Sequence, residues 1–61
     1  MAASRAELLE TARWRRALAV KARDLSREMT NELAQQGLLE HAADLDRQAD
    51  ELESQADAAQ A

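Results

Sequence analysis

Cysteine, proline, isoleucine, phenylalanine and tyrosine are all absent from this chain of 61 residues, and glycine and tryptophan occur once each. Without cysteine there is no disulfide framework and no thiolate nucleophile, and the redox compartment is left open. Without proline, and with a single glycine, little interrupts a helix. The shortage of aromatic side chains removes the stacking platforms on which single-stranded nucleic acid is held. No apolar run approaches the ~20 residues that span a bilayer, so no membrane partner is expected. Met1-Ala2-Ala3-Ser4-Arg5 is followed at once by Glu7 and Glu10, unlike a signal peptide, and the expected location is the cytoplasm.

Fifteen alanines and nine leucines make up most of the apolar content. A chain this short forms at most one small domain, here residues 1–61. A lone core of this size rarely supplies more than about 3–5 kcal/mol, and buried alanine removes little area from water. Self-association is the usual remedy at this size.

The second half carries the clearest pattern. Leu38, Leu45 and Leu52 recur every seven residues, with Ala59 next in line, and Ala42, Ala49 and Ala56 recur between them. This is a heptad seam of leucine and alanine, which predicts helix-on-helix packing. In the first half, Leu18, Ala22, Leu25 and Met29 follow spacings of four, three and four, with Trp14 and Leu8 near the upstream extension. Thr11 and Arg15 interrupt that stripe. The expected packing and oligomer seam is therefore Trp14, Leu18, Ala22, Leu25 and Met29 against Leu38, Ala42, Leu45, Ala49, Leu52 and Ala56.

The two stripes do not share a phase on one ideal helix, which favours two helices over one rod. Ser4-Arg5-Ala6-Glu7 fits a capping box and starts helix 1 at about residue 4. Thr30-Asn31 offers an N-cap for helix 2, with Glu32 in its first turn, and Arg23 and Arg27 suit the end of helix 1. Helix 1 is thus expected over about 4–29, the turn over 29–32 and helix 2 over 32–57, with fraying from Asp57. Gln36-Gly37 is the rival turn; it would leave the arms unequal and helix 2 without a good N-cap. The fold expected is all-α, an antiparallel two-helix hairpin pairing into a four-helix bundle.

Charge is divided unevenly. Residues 1–30 carry seven basic and four acidic side chains, and residues 31–61 carry one basic and eight acidic. Asp46 and Asp50, Glu53 and Asp57, and Glu40 and Asp44 are like charges four apart on one helix, which repel mildly. An acidic helix of this kind is better placed beside a basic one, and the charges then set orientation more than stability. Arg13, Arg16, Arg23 and Arg27 lie together on helix 1, away from the expected seam. They read as a solvated face or, alternatively, as a strip for a polyanion. The net charge of −4 and the acidic second half weigh against nucleic acid. An acidic protein-binding surface on helix 2 is a third reading.

Two single residues invite attention. His41 has Glu40 and Asp44 near it but no second histidine or cysteine, so it reads as a residue flanking the seam and no metal is expected. Trp14 could be a binding anchor, but it reads first as the edge of the core face, near Leu45 and Ala49 of an antiparallel partner. No nucleophile–base set and no phosphate-cradling glycine loop is present, so neither an enzyme nor a cofactor is expected.

The stretch from Trp14 to Glu53 resembles a group of short helical-hairpin proteins of alphaproteobacteria. The likeness rests on Arg13-Trp14-Arg15-Arg16-Ala17, Ala22-Arg23-Asp24-Leu25, the Thr30-Asn31 turn, Leu38-Leu39-Glu40, Ala42-Ala43-Asp44 and Arg47-Gln48-Ala49. Members of that group often carry Asp-Pro in the turn, where this chain has Asn31-Glu32. The resemblance implies a fold and no function. In size and plan the hairpin is also similar to the Rop family, whose hairpins pair into a four-helix dimer and bind RNA. The aromatic residue of that RNA-binding surface has no counterpart here, so only the architecture carries over. The function expected is a small non-catalytic protein-interaction module that self-associates, as a dimer, and binds a further protein of unknown identity; the alternative is a nucleic-acid accessory protein using the helix 1 arginines.

Overall fold

The computed structural model describes residues 4–60. Two helices account for them: α1, Arg5–Glu28, and α2, Glu32–Gln60. They fold back on each other as an antiparallel hairpin 46 Å long, 17 Å wide and 13 Å thick.

Local chemistry sets each boundary. The Ser4 side chain accepts a hydrogen bond from the Glu7 N–H (3.2 Å) and caps α1. At the turn, Met29 adopts an extended conformation and its N–H reaches back to the Ser26 carbonyl (3.2 Å). Asn31 opens α2: its Oδ1 accepts from the Ala34 N–H (3.1 Å) and its carbonyl from the Gln35 N–H (3.0 Å). The connection therefore spans residues 29–31, and Gly37 lies inside α2 in open space. Helix α2 runs to Gln60, beyond the end expected near Asp57.

The core is thin. Buried residues are Ala12, Ala19, Ala22 and Ser26 of α1, and Ala42, Leu45, Ala49 and Ala56 of α2. Leu18 and Leu38 pack against the cluster of Ala19, Ala22, Ala42 and Leu45, and Leu52 is half-buried.

Here the structure corrects the reading of α1. Its inward stripe is Leu8, Ala12, Arg15, Ala19, Ala22 and Ser26, a regular heptad alternation in which only Ala22 belongs to the expected seam. Trp14 is 65% exposed, Leu25 48% and Met29 38%, so these three do not fill the hairpin core. The physical reason is bulk. Leucines already project from α2, and small residues on α1 let the two backbones come close, so shape rather than hydrophobicity selects the face. Arg15 is tolerated on this stripe because its aliphatic stem can lie along apolar surface while the guanidinium reaches water.

Candidate interaction surface

Rotating the contact stripe of α1 gives the hairpin two unlike sides. On one, Arg16 and Arg23 flank the seam and reach across to α2. Arg16 meets Asp50 at 2.7 Å, Glu53 at 2.5 Å and Asp46 at 3.7 Å, and Arg23 meets Asp46 at 2.7 Å. These pairs place opposite charges along the seam and hold together three acids that would otherwise repel. The Arg16 guanidinium is held above its ordinary value, by its hydrogen bonds to Glu53 first and Asp50 second, so it stays charged. The pairs are partly open to water, and they fix register more than they add stability.

This arrangement also corrects the arginine strip. Of Arg13, Arg16, Arg23 and Arg27, two are committed to α2, and Arg27 pairs with Asp24 on its own helix at 3.2 Å. Arg13 is exposed. The four do not form one free cationic face. Arg47 pairs with Asp44 within α2.

On the opposite side, Trp14, Leu18, Leu25 and Met29 form a stripe roughly 90° round α1 from the buried seam. Leu18 is half-buried and the others are exposed. Beside them α2 presents Gly37, His41, Gln48 and Gln55, all exposed, with Asp44 and Glu51 along the outer edge of the same line. Leu33 is 80% exposed in the first turn of α2. Trp14 also lines a shallow open groove with Glu10, Thr11, Arg13 and Ala17. Val20 and Leu39 are exposed on the ion-pair side.

Two residues that position this surface were not singled out from the sequence. Gln35 lies in α2 yet donates from Nε2 to the carbonyls of Ser26 and Met29, both at 3.0 Å. It thereby gives the Ser26 carbonyl, which already accepts from the Met29 N–H, a second partner and satisfies the carbonyl of the capping residue Met29. The buried Ser26 hydroxyl donates to the Arg23 carbonyl at 2.6 Å, and no buried side-chain polar atom among the described residues lacks a partner. A signal existed for both: Gln35 stands seven before Ala42, and Ser26 seven after Ala19.

No family model, curated protein or solved structure matches this chain. Among the described residues, no helix is long and apolar enough to cross a membrane.

Proposed function

We propose that the chain is a non-catalytic protein-interaction module in which two hairpins pair into a four-helix dimer through the side bearing Trp14, Leu18, Leu25 and Met29. The observation that carries this reading is the exposure of Trp14, Leu25 and Met29 along that stripe. A helix whose core face is already satisfied holds a second line of large apolar side chains in water, and contiguous exposed apolar surface marks interaction sites. Trp14 has the properties of an anchor residue: large, rigid and half in solvent. The thin alanine core adds a reason for association, because burying the stripe would supplement it. The dimer in turn offers its remaining surface, including Val20 and Leu39, to another protein.

The test is the coupling of stability to concentration. The melting temperature should rise with protein concentration, since association stabilises only the folded form, and sedimentation should give twice the chain mass. Replacing Trp14 and Leu25 together with glutamine should return a helical monomer. A melt independent of concentration, with a monomeric mass at high concentration, would overturn the proposal.

A further inference from the structure

Pairing two hairpins through the same side leaves two arrangements, and charge and shape separate them. If the two-fold axis runs perpendicular to the helices and in the interface, α1 lies on α1 and α2 on α2. If it runs parallel to the helices, each α1 lies on the α2 of the second copy and both turns are at one end. Resting on the self-association proposed above, we infer that this protein forms the second arrangement, with the apolar stripe of α1 seated on the Gly37, His41, Gln48 and Gln55 side of α2 in the other copy.

Charge supplies the first argument. Helix α1 carries seven basic and four acidic side chains, and α2 one basic and eight acidic. The reversed arrangement would set two strongly acidic helices side by side, along with two basic ones. The arrangement with turns together surrounds each basic helix with acidic neighbours, and like charges at an interface cost more than exposed pairs gain. The ion pairs within the hairpin already show the preference: Arg16 and Arg23 hold Asp46, Asp50 and Glu53. Lys21, exposed and without an ion pair among the described residues, stands on the outer edge of the stripe. With the turns together it stands beside the acidic α2 of the other copy, and in the reversed arrangement beside the basic α1.

Shape supplies the second. The stripe is bulky, and the strip beside it on α2 includes Gly37, where nothing lies within 4 Å of an added Cβ. The large side chains of the stripe can cover that gap when α1 crosses to α2, whereas the reversed arrangement sets the two bulky stripes on each other. Size is sufficient too. In outline that side measures 46 × 17 Å, against the roughly 800 Å² that each partner buries in a stable interface.

The native chain has no cysteine, so single cysteines give clean spin-label sites. Thr30→Cys marks the turn and Ala58→Cys the open end; both positions are exposed. With turns together, both intermolecular distances should be about 30 Å or less, a bundle diagonal plus label tethers. In the reversed dimer they cannot both be short. The two sites lie 28 residues apart on a helix rising ~1.5 Å per residue, so at least one distance must exceed about 40 Å. A long distance at either site overturns the inference and leaves self-association standing. A monomeric mass with no intermolecular signal removes both. Lys21→Glu, which needs no label, reads the same question by sign. It should raise the dimer Kd severalfold at low salt, and a tighter dimer would overturn the inference, because only the reversed form is relieved by that change.

Discussion

Helix α2 turns its heptad leucines inward, and α1 turns Trp14, Leu25 and Met29 aside. Leu38, Leu45 and Leu52 project from α2 toward a face of α1 made chiefly of Ala12, Ala19, Ala22 and Ser26, while Leu25 and Trp14 stay in water. One hairpin thus contains two solutions to the same heptad spacing. An apolar stripe on a helix need not be the stripe that packs within the chain. Where one helix already supplies bulk, its neighbour contributes closeness, and its own leucines are left for another contact.

The largest expected effect tests the inward half of that comparison. Leu45→Ala should cost about 2–5 kcal/mol in urea unfolding followed by circular dichroism, since Leu45 is 3% exposed at the centre of the core. Leu25→Ala, made on the outward stripe, should stay within about 0.5 kcal/mol at concentrations where the monomer dominates. Equal costs would erase the distinction between the helices.

A second substitution tests closeness. Ala19→Leu adds the bulk that a hydrophobic reading of α1 would welcome, at a position fully buried against α2. Overpacking should destabilise the hairpin by about 1–3 kcal/mol in the same measurement. A gain in stability would mean that the alanine stripe is not tightly packed.

A smaller change sharpens the account of α2. Gly37 is helical, exposed and clear of neighbours, so Gly37→Ala should stabilise the monomer by about 1 kcal/mol. The smallest expected effect is no effect. Duplex DNA and RNA should show no salt-sensitive binding near physiological salt, because Arg16 and Arg23 are already held by carboxylates. Binding lost on changing Arg13, Arg16, Arg23 and Arg27 to glutamine would restore the nucleic-acid reading.

The hairpin and its turn were legible because their signals are local. Ser4 and Asn31 act within a few residues, and the leucine–alanine heptads of α2 stand inward from Leu38 to Ala56, with Ala59 exposed. The face of α1 was not legible by the same means. Leucine weighs more than alanine in any reading of hydrophobic periodicity, so Leu25 and Met29 outweighed Ala12 and Ala19, while Leu18 does pack against the core. The choice between the stripes depends on the partner helix, which lies outside any local window. The arginines followed that error: with the seam rotated, Arg16 and Arg23 moved from its back to its flank.

The Gln35 amide carries a consequence for how copies of this chain share their helices. Two hairpins that open at residues 29–31 into continuous rods can reform every core contact by exchanging arms, which is domain swapping. In a rod, the carbonyls of Ser26 and Met29 are satisfied by the N–H groups one turn on, and Gln35 has nothing to hold. In the hairpin its side chain spans both carbonyls at 3.0 Å. This clasp exists only in the closed chain, so it favours whole hairpins over exchanged ones even where their cores are identical.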